Sequence, residues 1–328
     1  ALRARGPTPG DAVEAALRRV GDGRWLLEAA PDDRRAPAAL AALGFNDPGQ
    51  AFANLQSLTP TPRDAELLVP GLPRLLRCLA DAADPDMALN NLERLGAALD
   101  RPTFLTTLVA HPGAAHLLAT LGGGSQFLSE TLRRHPTFLP WLLEPSSMRQ
   151  WSKDELAQEL ERDLAPFSRV HARWNVLRRF KYRHLLRIGS RDLLGDADLT
   201  VTTEELSRLA DVSLDAAWRL GDADLSSKYG TPMAPSGEAA GLAVIGMGKL
   251  GGEELNYSSD IDLIFVYGED GETSGGPGGV LPNGEYFRRL AREIVAAIES
   301  VTEEGYAFRV DLRLSPEGRS GALVLSMD

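Results

Sequence analysis

The spacing of apolar residues changes once along this chain, and that change restricts the folds it can adopt. From about Gly10 to Leu225 apolar residues recur at intervals of three and four, as in Leu89, Leu92, Leu95 and Leu99 after the Asp84-Pro85-Asp86 start. That period belongs to amphipathic helices. After Tyr229-Gly230 a stretch of Gly, Pro and Ser leads into Leu242-Ala243-Val244-Ile245, a short apolar run that reads as a buried strand. A second strand is expected over Ile261 to Tyr267, and a third over Ala307 to Leu314, where Phe308, Val310, Leu312 and Leu314 alternate with Arg309, Asp311 and Arg313. The expected fold is therefore α+β and predominantly α: a long helical region followed by a small mixed sheet with flanking helices. The boundary is expected at 235, giving a helical region over 1–235, divided into two sub-bundles near 150, and a sheet domain over 236–328.

Local signals refine this outline. Ser152 with Glu155 reads as a capping box opening a helix interrupted near Pro166 and ended near Gly195, and Thr202 with Glu205 reads as the start of the next. The Gly-rich segment from Gly268 to Pro282 gains little burial to offset its ordering entropy, so it is expected to be mobile and to serve as a lid. Asn283 is expected to cap a helix with Phe287, Leu290, Ile294, Ile298 and Val301 along one face. Arg179, Arg183, Arg187 and Arg191 recur every four residues, forming either a solvated stripe or a contact for phosphate or an acidic partner.

Composition excludes several classes. A net charge of −11 argues against nonspecific binding to a nucleic-acid backbone, and favours protein or small-molecule partners. Cys78 is the only cysteine and the five histidines show no zinc-type pairing with it, so neither an intrachain disulfide nor a zinc site is expected and a reducing, cytoplasmic setting fits. No apolar run reaches the roughly 18 to 20 residues that span a bilayer, and Ala1 to Gly10 lack a signal-peptide core, so no membrane association is expected. The chain begins without Met and stops just after a strand-like run, Gly321 to Ser326, so it is expected to be a piece of something longer, with the sheet domain truncated at its C-terminal end.

The chemistry gathers after the first strand. Gly246-Met247-Gly248-Lys249-Leu250-Gly251 has the glycine spacing of a dinucleotide fingerprint, but only Gly252 to Ser259 separate it from the next strand, too few for a crossover helix. A phosphate-binding loop of the Walker type fails because Leu250, not Ser or Thr, follows Lys249, and no catalytic triad is evident. The glycine turn instead feeds Ser259-Asp260-Ile261-Asp262, in which Asp260 and Asp262 share a strand face while Ile261, Leu263 and Phe265 enter the core. Two carboxylates so close repel unless a cation lies between them. Mg²⁺ takes oxygen ligands and leaves positions for phosphate, with Mn²⁺ as the alternative. Asp311 is the natural third carboxylate, and three on neighbouring strands can hold two metals for an in-line displacement at phosphorus. Backbone N–H groups at Gly246, Gly248, Gly251 and Gly252, with Ser259 and the cations Lys249 and Arg313, would bind the nucleotide phosphates. Any one aspartate or glycine turn alone is an ordinary solvated feature; the combination is what points to a site.

The stretches GMGKLGGEELNYSSDIDLIF (246–265) and RVDLRLSPEGRSG (309–321) resemble the signature of glutamine synthetase adenylyltransferases, whose bifunctional members hold two such domains. Leu255 to Asp262, with Asn256 and Ser258 where the carboxy-terminal copy tends to have Gly, resembles the amino-terminal, adenylyl-removing copy, as do Leu177 to Lys181 and Glu205 to Asp211. The resemblance implies a nucleotidyltransferase-type sheet with Asp260, Asp262 and Asp311 as catalytic metal ligands. It further implies that inorganic phosphate attacks the adenylyl group on a tyrosine of glutamine synthetase, releasing ADP and regulating nitrogen assimilation. Adenine nucleotide, glutamine synthetase and PII-type signalling proteins are the implied partners. Ser315 stands where the family commonly has Arg, a lost charge that Arg313 and Arg319 are placed to compensate. Two alternatives remain: adenylyl transfer from ATP to the same tyrosine, and a non-catalytic nucleotide-sensing module.

Overall fold

A computed structural model describes residues 9–314 and 322–327. The chain forms two compact units, Ala1–Arg149 with Gly189–Asp196, and Gln150–Ile188 with Ala197–Asp328. The units therefore part at 149/150 and not at 235, because the helices between 150 and 229 share one hydrophobic core with the sheet. Among the described residues no single helix is long and apolar enough to cross a membrane.

The first unit is built from α1 (Pro9–Val20), α2 (Arg24–Glu28), α3 (Arg35–Ala42), α4 (Pro48–Leu58), α5 (Pro62–Leu68), α6 (Leu72–Ala80), α7 (Pro85–Ala98), α8 (Arg101–Ala110), α9 (Ala114–Gly124), α10 (Gln126–Arg134) and α11 (Leu139–Leu142). Four of these helices start in the same way. Asp47, Thr61, Asp84 and Asp100 accept a hydrogen bond from the backbone N–H three residues on, and a proline fills the first or second helical position, where no donor is missed. Gly122 and Gly123 of α9 lie against the start of α7, where a Cβ would come within 3.1 Å of Ala88 O and 2.9 Å of Asp84 O respectively. The close approach of the two helices requires both glycines.

The second unit contains α12 (Lys153–Leu164), α13 (Val170–Leu194, with its last residues in the first unit), α14 (Leu199–Tyr229), β1 (Pro232–Met233), β2 (Leu242–Met247), α15 (Gly248–Gly251), β3 (Ile261–Tyr267), β4 (Glu272–Thr273), α16 (Asn283–Glu299), β5 (Val310–Asp311) and β6 (Val324–Ser326). The main sheet is mixed. β3 pairs antiparallel with β2, and parallel with β5 at its start and β6 at its end. Ile261, Leu263, Phe265 and Tyr267 are buried with Phe287, Leu290, Ile294 and Ile298 of α16, in a core that also includes Leu156, Phe180 and Leu209 from the preceding helices. The predominantly helical α+β architecture and the limits of β3 agree with the sequence.

Four local expectations are corrected. β2 is an edge strand, with Ala243 and Ile245 exposed, because among the described residues only β3 pairs with it. The third strand shortens to Val310–Asp311. Helix α14 opens at Leu199 under an Asp198 cap, so Thr202 and Glu205 lie inside the helix, buried, and do not start it. Asn283 is not the cap of α16 but a buried first residue, donating through Nδ2 to Met233 O and Glu269 O, both at 3.0 Å, and Val301 is exposed beyond the helix end.

The segment 268–282 is held in place by these and further bonds. Its backbone N–H groups at Ser274 and Gly278 donate to Thr231 O and Lys228 O, both at 2.8 Å, and β4 pairs with β1. It leaves β3 at Tyr267, about 16 Å along the strand from Asp262. That separation and anchoring do not fit a lid over the aspartates.

The arginine stripe of α13 is internal only in part: Arg187 and Arg191 are buried, whereas the Arg179 side chain is 40% exposed. Arg187 is fully buried, with Nη1 donating to Glu205 Oε1 at 2.6 Å; Arg183 pairs with Asp163 at 2.7 Å and Glu159 at 3.2 Å; Arg179 pairs with Glu304 at 2.9 Å. Arg191, also buried, donates to Asp196 O at 3.4 Å. Each of these arginines is paired within the fold, so the stripe is not simply a solvated face.

His184 extends this network. Its Nδ1 accepts from Arg187 Nε at 3.2 Å, which leaves the proton on Nε2 to donate to Glu159 Oε2. Burial, aided by Arg187 and Arg183, outweighs Glu159 and pushes the imidazole down to about 4. Between pH 4 and the unfolded value of 6.5 the unfolded chain then binds the extra proton, so stability is full above 6.5 and is lost as the pH falls toward 4. The loss is on the order of 3 kcal/mol. Urea unfolding at pH 7 and pH 4.5 is expected to show it, and a His184→Gln variant to show a smaller pH dependence.

Candidate functional site

The site is assembled where β2 turns back. Met247, its last residue, stands opposite Asp262 in the antiparallel ladder, and Gly248 then takes φ +55 to enter the single turn of α15. A Cβ on Gly248 would lie 2.7 Å from Asp262 Oδ2, and one on Gly251 would lie 2.5 Å from Gly246 O. Gly251 is thus closed to any side chain by the backbone, while at Gly248 the positive φ strains one and the Asp262 carboxylate would have to shift to admit it. Beyond the turn, Leu255 is buried with its N–H donating to Ser207 Oγ at 3.1 Å. Asn256 Oδ1 accepts from Ser259 Oγ at 2.7 Å and from the Ser258 N–H at 3.3 Å, a side-chain-closed turn that delivers Asp260 to the head of β3.

Asp262 is half-buried on the face of β3 away from the core, and its register partner on the parallel strand β5 is Asp311. Partners in register project to the same face, so these two carboxylates are neighbours. Asp260 is exposed two residues earlier. Two arginines attend the group. Arg309 donates through Nε to Asp260 Oδ1 and through Nη2 to Ser258 O at 2.7 Å, while Arg313 grips Asp311 with Nε at 2.9 Å from Oδ1 and 2.7 Å from Oδ2. Hydrogen bonding to those carboxylates holds both guanidinium groups above their ordinary range. Beside the turn a cleft of about 730 Å³ opens between residues 251–256 and Leu199, Thr200, Thr203 and Glu204 of α14.

Residues 115–328 match the family model described as glutamate-ammonia ligase adenylyltransferase. The chain belongs to that family. Among its curated relatives, the bifunctional glutamine synthetase adenylyltransferase/adenylyl-removing enzyme of Thioalkalivibrio sulfidiphilus is 34% identical over 97% of this chain and 34% of its own length. The enzyme of the same description from Pseudomonas syringae pv. tomato is 31% identical over 97% of the chain and 34% of its own. That from Burkholderia pseudomallei is 48% identical over 46% of the chain and 16% of its own. The chain spans about one third of the length of the relatives it matches throughout.

In this member of the adenylyltransferase family the structure brings together some of the residues expected from sequence and not others. Asp260, Asp262, Asp311, Gly246, Gly248 and Gly251 lie around one strand junction. Lys249 and Gly252 are exposed on and just after α15. Ser259 uses its hydroxyl to close the Asn256 turn, and Arg313 is engaged with Asp311. Arg319 and Ser315 lie outside the described residues. Arg309 is a site residue that the motif does not mark, although its alternation with Asp311 and Arg313 places it on the same face; Thr200, Thr203 and Glu204 carry no sequence signal.

The donor set suits a hard divalent cation, since it is all carboxylate oxygen. Asp262 and Asp311 are neighbours by register, but among the described residues no three carboxylate, imidazole or thiol groups converge to hold a metal ion. Asp260 and Asp311 are each turned to a guanidinium instead.

Proposed function

We propose that this chain provides a nucleotidyl-transfer site that removes AMP from the adenylylated tyrosine of glutamine synthetase by phosphorolysis. The observation that carries the reading is the register pairing of Asp262 with Asp311 directly beside the Gly248 turn. An oxygen of inorganic phosphate forms a bond to the adenylyl phosphorus, the bond from phosphorus to the tyrosine oxygen breaks, and the released phenolate takes up a proton. ADP and unmodified tyrosine are the products. Asp262, with Asp311 and Asp260 once freed from their arginines, would hold magnesium, which would supply charge neutralisation at the phosphoryl oxygens. The chain's own part is to bring phosphate groups against the open backbone of the glycine turn and to set Arg309 and Arg313 within reach of the anionic substrates. Regulation through PII-type proteins accompanies this reading by family resemblance, and a cytoplasmic setting by the single cysteine.

Removal is preferred over addition on the Asn256 turn. Its Oδ1 orders Ser258 and Ser259, whereas the adenylylating copy tends to place Gly at 256 and 258. The relatives' names include both activities, so transfer from ATP is the competing outcome. Incubation with adenylylated glutamine synthetase, phosphate and Mg²⁺, followed by chromatography, is expected to release ADP. Pyrophosphate formation from ATP and unmodified glutamine synthetase, with no ADP in the first assay, would reverse the assignment.

A further inference from the structure

We propose that Arg178 is a positioning residue for the carboxylate site, acting through the turn at 300–308 to set Arg309 and Asp311 against β3. The inference rests on the reading of that site as a nucleotidyl-transfer centre.

After α16 ends at Glu299 the chain makes a tight turn, with Thr302 and Gly305 exchanging backbone hydrogen bonds of 2.9 Å. It then runs through the buried Ala307 and Phe308, whose N–H groups both donate to Ile298 O, into β5. Arg178, fully buried on α13, holds this turn with one guanidinium. Nη1 donates to Ala297 O at 3.1 Å and to Trp174 O at 2.9 Å, Nη2 to Ser300 O, and Nε to Gly305 O at 2.8 Å. The carbonyls of Ala297 and Ser300 lie at the C-terminal end of α16, where the helix dipole favours a cation and the last C=O groups lack intrahelical donors. Among the described residues, every hydrogen bond of this guanidinium goes to a backbone carbonyl. A planar five-donor fork satisfies several fixed carbonyls at once, which an ammonium does not.

Neighbouring side chains on α13 bear on the same turn. Gly305 sits at φ +84 against Tyr182, where a Cβ would approach the hydroxyl to 2.9 Å. Lys181, buried, places its ammonium 4.1 Å from the Tyr182 ring centroid and 5.6 Å from that of Phe308. Arg309 follows Gly305 by four residues, and its carbonyl accepts the Ile261 N–H at 2.9 Å. Asp311 follows two residues later in register with Asp262. A displacement of the turn therefore reaches the carboxylates without passing through any flexible loop.

The test uses Arg178→Lys and Gly305→Ala beside the parent, at a temperature where circular dichroism shows each fully folded. Amide exchange at Ile261 is expected to accelerate about tenfold or more, since its acceptor belongs to the displaced segment. Turnover of adenylylated glutamine synthetase is expected to fall about 10- to 100-fold in kcat with KM within about twofold, as small misplacements of reacting groups do. Gly305→Ala carries the test if Arg178→Lys does not fold. A folded variant with a lowered melting temperature but exchange at Ile261 and kcat within about twofold of the parent would reduce Arg178 to a purely structural role and overturn the proposal. If the parent itself shows no turnover, the functional reading has failed, and exchange at Ile261 alone decides whether Arg178 positions the segment.

Discussion

Asp262→Asn is expected to lower turnover on the order of 10³-fold or more while leaving the folded state nearly as stable as the parent. The two effects separate because of where the carboxylate stands. Asn has almost the same shape, so no void opens beside Gly248, and among the described residues the Asp262 carboxylate carries no hydrogen bond or ion pair that the fold would lose. What disappears is one of the two register-paired charges, and with it the ability to neutralise a cation beside the Asp311 carboxylate. Asp260→Asn and Asp311→Asn give less clear results, since each also breaks an arginine pair. The measurement is kcat for ADP release with a thermal melt on the same samples. Turnover within about tenfold of the parent would remove Asp262 from the chemistry.

Glu205→Ala is expected to destabilise the second unit by about 3 to 5 kcal/mol. Glu205 Oε1 accepts from Arg187 Nη1 at 2.6 Å and from the Trp151 N–H at 3.2 Å, and neither side chain of the ion pair reaches water to any useful extent. Truncation removes this carboxylate from beside the fully buried Arg187 guanidinium, and losing one member of a buried pair costs far more than the pair itself is worth. Glu204→Ala, next in sequence but on a partly exposed i,i+4 pair with Arg208, is expected to cost less than about 1 kcal/mol. Urea denaturation of both variants checks the contrast; similar values for the two would contradict a buried ionic core.

The elements that the sequence specified correctly are those whose pattern is enforced locally. β3 shows strict alternation of buried and half-buried residues over its full length, and the Ser152 capping box closes within four residues. The placement of Asp262 on the face of β3 away from the core followed from the same alternation, because a side-chain period of two needs no knowledge of the partner strand, whereas its register with Asp311 does. Several of the misreadings involve partners distant in sequence. Thr202 and Glu205 match a capping pattern, yet Glu205 is a buried acceptor for Arg187, a residue that no local window pairs with it. The arginine period along α13 is the same whether the stripe meets water or the acids Asp163, Glu159, Glu205 and Glu304. Likewise the glycine content of 268–282 describes its freedom as an isolated peptide, not the backbone bonds to Lys228 and Thr231 that hold it.

The arginines at the site carry one further consequence. Arg309 and Arg313 leave Asp260 and Asp311 already charge-compensated, so the site resembles an ion exchanger stored in its salt form. A divalent cation taking those two carboxylates would have to compete with both guanidinium groups. Arg309 and Arg313, once released, would be positive charges free for anionic phosphoryl groups, so cation loading and nucleotide binding would be linked.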